Sequence, residues 1–246
     1  GATAGRTTLQ GEGLQHQDGH SQLFANAIPS LRAYDPTYAY ELAVIIRDGL
    51  RRMLDENEDA YYYITLYNEN YDMPPMPDGV DDGILQGMYL FRPAPKGSFK
   101  QRVQLLGSGP MMKCALTAQG VLAERYGVAA DVWSVTSYQQ LYRDARAVER
   151  HNRLHPTDTA RVPYVTAALS THEGPVVAVS DWVTEVPSLL GRFVGRPFLP
   201  LGPNGFGRSD TRQALRRFFE LNSRWVVSTA FYGLHQAGSV DAARVK

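Results

Sequence analysis

The sequence predicts an α/β protein in which a helix–strand pair is followed by a second domain built on an open, mostly parallel sheet with helices on both faces. Three observations predict it. Short, largely apolar segments at 103–106, 132–135 and 176–179 alternate with amphipathic stretches of helical period. Strand passes to helix through the glycine turn Gly107-Ser108-Gly109, and Gly127 stops the helix that follows. The proline-rich run Met73-Pro74-Pro75-Met76-Pro77-Asp78-Gly79 can continue neither element, so it separates the two patterns. The chain therefore divides into 1–78, a linker over 79–100, and 101–246.

Taken in order, Asp35-Pro36 has the form of a helix start, an aspartate cap followed by proline at a position that needs no amide donor. Ala39, Leu42, Ala43, Ile46, Leu50 and Met53 then share one face, expected to be the buried one. Residues 60–66, with three consecutive tyrosines and Ile64, read as a buried strand. In the second domain the helix after Gly109 carries Met111, Ala115, Ala118, Leu122 and Tyr126 inward. Thr136 or Ser137 caps the next helix, which turns Tyr138, Leu141, Tyr142, Ala145 and Val148 to the core. A fourth strand is expected at 198–201. Asp210 with Gln213 forms a capping box for a helix burying Leu215, Phe218 and Phe219. Asn222 or Ser223 begins a last helix that ends near Gly238, although Val226-Val227 also suits a strand.

Composition narrows the partners. Lysine plus arginine equal aspartate plus glutamate at 25 each, so no general field attracts nucleic acid or an anionic membrane. The pairs Arg51-Arg52 and Arg216-Arg217 fall in helical patterns and read as solvated faces. The single cysteine, Cys114, cannot close an internal disulfide and reads as a buried thiol in a reducing, cytoplasmic setting. No apolar run approaches the roughly 18 residues of a membrane span.

The segment richest in chemistry is Gly11-Glu12-Gly13-Leu14-Gln15-His16-Gln17-Asp18-Gly19-His20-Ser21. Two histidines and two carboxylates sit here in a loop broken by glycines, which permit turns that other residues resist. His16, Asp18 and His20 have ligand-like spacing for zinc, but no fourth ligand is evident and zinc stays a minor alternative. Gly107-Ser108-Gly109 has the place of a dinucleotide-binding corner. Met112 stands where a third glycine belongs and Asp131 is badly placed for a ribose, so it reads as a structural turn. The 202–210 segment, with three glycines, Phe206 and Arg208 before a helix start, suits domain packing and capping better than a ligand. His151, His155, His172 and His235 occur singly and read as solvent-facing or capping.

Arg6-Thr7-Thr8-Leu9, the histidine loop, Tyr61-Tyr62-Tyr63-Ile64-Thr65 with Asn68-Glu69-Asn70-Tyr71, Leu105-Leu106-Gly107-Ser108-Gly109, and Gly205-Phe206-Gly207-Arg208-Ser209-Asp210 together give the chain its family likeness. Over essentially its whole length it resembles the homodimeric bacterial type of thiamine diphosphate-dependent pyruvate dehydrogenase component, within the transketolase-like superfamily. The resemblance implies that residues 1–78 end a pyrimidine-binding domain and 101–246 form a transketolase C-terminal-like domain. It implies pyruvate as substrate, the lipoyl domain of dihydrolipoyl acetyltransferase as acceptor, and a homodimer. His16 then serves substrate hydrogen bonding and proton transfer, with His20 in a supporting active-site role. Gln15, Gln17 and Asp18 line the substrate pocket or support the loop. Sugar-handling relatives place an aspartate shortly before the histidine, where this chain has Gly13, Leu14 and Gln15.

The Gly-Asp-Gly motif that holds Mg²⁺ and the diphosphate in this class is absent, and the chain begins with glycine. Thiamine diphosphate and Mg²⁺ are thus expected to be held mainly by an upstream segment of a longer polypeptide, which also carries the cofactor-activating glutamate. Two rival readings remain: a non-catalytic assembly module, or a related 2-oxo acid dehydrogenase or transketolase.

Overall fold

The computed structural model of the chain describes residues 4–11 and 13–245. Its first part carries helix α1 (Ser21–Phe24), strand β1 (Leu31–Tyr34), helix α2 (Ala39–Leu50) continued by a π-helical turn at Arg51–Asp55, and strand β2 (Tyr61–Ile64). Strands β1 and β2 pair in parallel, Leu31 opposite Tyr61 and Tyr34 opposite Ile64, with α2 as the crossover. The second part begins with helix α3 (Asp81–Gln86) and strand β3 (Met88–Arg92). Strand β4 (Gln101–Gly107), helix α4 (Met112–Tyr126), strand β5 (Val128–Val135), helix α5 (Tyr138–Leu154), helix α6 (Tyr164–Leu169) and strand β6 (Val176–Val179) follow. Two one-turn helices, α7 (Glu185–Ser188) and α8 (Gly191–Val194), lead to strand β7 (Phe198–Leu201) and helices α9 (Arg212–Phe218) and α10 (Ser223–Gln236).

The larger sheet has the order β3-β5-β4-β6-β7, parallel except for β3, which runs antiparallel against β5. The anticipated open, mostly parallel sheet with helices on both faces is present. On one face Leu105, Val132 and Val177 pack against Met112, Ala115 and Leu122 of α4 and Val226, Ala230 and Leu234 of α10. On the other, Leu106, Val135 and Ala178 pack against Leu141 of α5, Leu169 of α6 and Trp182. Strands covered on both faces need no polar side, so β5 is buried along its whole length.

Local chemistry sets the helix ends. The Ser137 side chain accepts the Gln140 amide at 3.0 Å, the Asn222 side chain accepts the amides of Arg224 and Trp225, and Gly127 ends α4 in a left-handed conformation. Val226 and Val227 are helical and inward, which decides against a strand there.

Several expectations need correction. Asp35 does not cap α2. The helix starts at Ala39, where the Glu41 carboxylate accepts the amides of Thr37 (2.6 Å) and Tyr38 (3.0 Å), while Asp35 takes the Thr65 hydroxyl at 2.6 Å. The buried face of α2 is Glu41, Val44, Ile45, Asp48 and Gly49, and the apolar face anticipated for the core, Ala43, Ile46 and Leu50, is exposed. Strand β2 is half-buried instead of buried, because its described sheet offers one neighbour only. The 79–100 segment is more than a linker, since it supplies α3 and the antiparallel edge strand β3. Thr211, not Asp210, caps α9 through the Ala214 amide at 3.3 Å, and Phe218 is largely exposed.

The two parts are welded by buried polar bonds. Glu41 also accepts the hydroxyls of Tyr89 in β3 (2.7 Å) and Ser134 in β5 (2.6 Å). Gln139 of α5 accepts the Ala33 amide at 2.8 Å and donates to the Ala25 carbonyl at 2.7 Å. Burial pushes the Glu41 carboxyl up, and the donors around it oppose that. No helix among the described residues is long and apolar enough to cross a membrane.

Candidate functional site at the carboxyl edge of the parallel sheet

The carboxyl ends of parallel strands are where loops converge in an open α/β sheet. Asp181, just past β6, is fully buried there. Its Oδ1 accepts the amide (2.9 Å) and hydroxyl (2.7 Å) of Thr7, and its Oδ2 accepts the amide (3.0 Å) and hydroxyl (2.7 Å) of Thr8. Burial pushes this carboxyl up, while the four donors and Arg216 favour its charged form. Only glycine fits at position 5: φ is +88°, and a Cβ would lie 2.3 Å from Asp181 Oδ2.

A second anchor comes from α9. Arg216 donates from Nε to the Thr7 hydroxyl (3.4 Å) and from Nη2 to the Thr8 hydroxyl (3.2 Å), and it forms a two-point ion pair with Glu69, which Lys113 also reaches at 2.9 Å. Arg216 is therefore no solvated cation. Its side chain is 12% exposed.

These anchors set the base of the histidine loop. Glu12, one of the loop's two carboxylates, lies outside the described residues. After a 3-10 turn at Gly13–Gln15, Gln15 and His16 are exposed at the loop surface. Gln17 points inward and donates to the carbonyls of Leu9 (2.7 Å) and Arg208 (2.8 Å). Asp18 braces the turn: Oδ1 accepts the amides of His20 (2.9 Å) and Ser21 (3.1 Å), and Oδ2 accepts the Ser21 hydroxyl. His20 is half-buried, with Nδ1 at 3.0 Å from Arg6 Nη2. These bonds commit both Asp18 oxygens to the loop itself and one His20 nitrogen to Arg6. Among the described residues no group of three or more histidine, cysteine or carboxylate side chains could hold a metal ion.

The 202–210 segment is the other wall of this loop. Arg6 Nη1 donates to the Pro203 carbonyl at 2.7 Å and to that of Gly205, and the Gly11 amide donates to the Asp210 carbonyl at 3.1 Å. The Arg208 guanidinium lies over the Phe218 ring, 4.1 Å from its centre. At Gly107-Ser108-Gly109 the Thr37 hydroxyl donates to the Gly109 carbonyl at 3.1 Å, so this corner joins the two parts of the chain.

Of the other histidines, His172 pairs with Asp131 through Nδ1 at 3.0 Å and packs edge-on to Trp133. His235 Nδ1 lies 3.1 Å from the Val240 carbonyl. Sequence reasoning missed Asp181 and the anchoring part of Arg216, since neither carries a local signal.

Comparison with known proteins follows the two parts. Residues 1–74 match the family profile of the pyruvate dehydrogenase E1 component middle domain, and residues 87–222 match that of the transketolase-like C-terminal domain. The "Pyruvate dehydrogenase E1 component" of Cupriavidus necator is 49% identical over 245 residues, a match covering 100% of this chain and 27% of that protein. This chain thus spans about a quarter of the length of the curated relatives it matches. Among solved structures, transketolase from Leishmania mexicana superposes with a TM-score of 0.66 at 18% identity, covering 96% of this chain and 30% of that one. A split gene transketolase described as an inactive β4 tetramer gives 0.63 at 18%, covering 95% and 65%. At such identities the structural likeness shows the fold alone.

Proposed function

This chain belongs to the transketolase-like family, and from that membership we propose that it forms part of a thiamine diphosphate-dependent pyruvate dehydrogenase component. The parent enzyme decarboxylates pyruvate oxidatively and transfers the acetyl unit to the lipoyl group of dihydrolipoyl acetyltransferase. The observation that carries this reading is the His16–His20 loop, clamped between the Thr7-Thr8 anchor and the 202–210 wall in a chain half identical to pyruvate dehydrogenase E1 components.

Among the described residues no group of three or more histidine, cysteine or carboxylate side chains could hold Mg²⁺. The metal and diphosphate cradle, whose Gly-Asp-Gly motif this sequence lacks, belongs to other segments of the parent enzyme. What this chain supplies is a wall of the substrate pocket. His16, exposed on a braced loop, hydrogen-bonds the substrate and moves protons, and His20 supports it. Gln17 and Asp18 hold the loop, and Gln15 lies at its surface. The pocket is completed across a homodimer in the cytoplasm.

In the parent enzyme, His16→Ala should leave cofactor affinity nearly intact and slow pyruvate turnover by roughly 10²–10⁴-fold. An unchanged rate removes His16 from catalysis, and faster turnover of 2-oxoglutarate or a ketose phosphate than of pyruvate overturns the substrate. The isolated chain should show no saturable thiamine diphosphate binding by calorimetry. The rival reading is a non-catalytic assembly module. Activity of this chain alone would dismiss it.

A further inference from the structure

Arg6 is buried, yet four of its contacts go to one small region. Nη1 donates to the carbonyls of Pro203 and Gly205, Nε lies 3.5 Å from the Gln17 carbonyl, and Nη2 lies 3.0 Å from His20 Nδ1. The loop backbone is shaped to admit the guanidinium: a Cβ on Gly19 would sit 2.6 Å from Arg6 Cζ. Burial lowers the Arg6 pKa from its ordinary value, with Asp18 and Asp181 opposing that, and an arginine stays charged at neutral pH.

A guanidinium has donors and no acceptor, so the bond to His20 has one possible direction. Nδ1 must present its lone pair. In a neutral imidazole the proton then resides on Nε2, and the ring is a donor there. We propose that Arg6 is a positioning residue that fixes His20 as the neutral Nε2–H tautomer and locks that ring to the 202–210 segment. His20 thereby offers a hydrogen-bond donor to an oxygen of the substrate, a carbonyl or carboxylate, and leaves proton acceptance to another group. This rests on the reading of the loop as a substrate wall, but the tautomer itself does not.

Imidazole ¹⁵N spectra of the histidine-labelled chain at neutral pH, assigned through loss of signal in His20→Asn, test it without any further variant. The expected result is an unprotonated Nδ1 and a protonated Nε2. A protonated Nδ1 overturns the proposal. Arg6→Met should give a mixture of the two tautomers and Arg6→Lys, which keeps a donor, should restore the single form. An unchanged tautomer in Arg6→Met also overturns it. In the parent enzyme, Arg6→Met and His20→Ala should lower kcat to within about threefold of each other, and the double variant should lose no more than either single one. Additive losses would separate the two residues. If both singles leave kcat unchanged while the spectra are as expected, the functional reading of the loop fails and the tautomer assignment stands.

Discussion

Gln17 closes a two-way pair with the backbone of Arg208: Nε2 donates to its carbonyl at 2.8 Å, and Oε1 accepts its amide at 2.7 Å. A side-chain amide here does what a neighbouring strand would do. It ties the loop that carries His16 to the segment before α9, across 191 positions of sequence.

Gln17→Glu keeps the shape and removes the donor. The carbonyls of Leu9 and Arg208 would then face a carboxylate oxygen, a buried mismatch worth roughly 1–3 kcal/mol. The variant should melt at lower temperature, and amides at 9–11 and 206–210 should exchange faster with deuterium. Exchange confined to its wild-type rate at both segments would show that the pair is not what joins them.

Glu69 gives the chain a specific acid sensitivity. Burial works against its ionisation, but Arg216 and Lys113 outweigh it and hold the carboxyl below its ordinary 4.5. A depressed carboxylate stabilises the fold above its unfolded pKa, and that contribution fades as pH falls through the folded value. The melting-temperature gap between wild type and Glu69→Gln should be full at pH 7 and shrink below about pH 4.5. The comparison with Glu69→Gln is needed because Asp35, Glu41 and Asp181, raised by burial, give contributions of opposite sign that are lost as pH rises. A gap that widens on acidification contradicts the pairing.

Arg216→Ala leaves Glu69 with Lys113 alone and strips one donor each from Thr7 and Thr8. Its cost should be roughly 2–3 kcal/mol, below the 3–5 of a wholly buried pair because Lys113 remains. Denaturant midpoints measure it. A change within 0.5 kcal/mol, the range of an ordinary surface substitution, would return Arg216 to the solvated face that its sequence suggested.

What the sequence made legible was local. Ser137 and Asn222 cap helices through amides two or three residues away, and Gly127 ends one at the next position, so short windows contain the whole cause. Asp181 and Thr7 are 174 positions apart, and nothing in either neighbourhood points to the other. The His16–His20 loop was visible as a chemical segment, but its clamps, Arg6 and the 202–210 carbonyls, were not, because backbone acceptors have no residue type. Strand β3 escaped notice since an antiparallel edge strand after Gly87 has no crossover pattern to announce it.

Helix α2 shows how a periodic pattern can select the wrong face, and it supplies the sharpest contrast for a pair of adjacent residues. Glu41 and Asp48 are charged, so hydrophobic periodicity assigns their side to solvent. In the structure Glu41 is buried with donors from Thr37, Tyr38, Tyr89 and Ser134, and Asp48 pairs with Arg51 and Arg52. Ile45, on that side, is wholly buried against Tyr34, Ile84 and Tyr89, whereas Ile46 is 45% exposed. Ile45→Ala should therefore destabilise this chain by roughly 2–4 kcal/mol, the cost of a core cavity, and Ile46→Ala by less than about 0.5 kcal/mol. Urea titration of the two variants against wild type is sufficient. Equal losses, or a greater loss at Ile46, would restore the face that sequence periodicity chose and displace the polar weld around Glu41 from the account of how the two parts of the chain are held together.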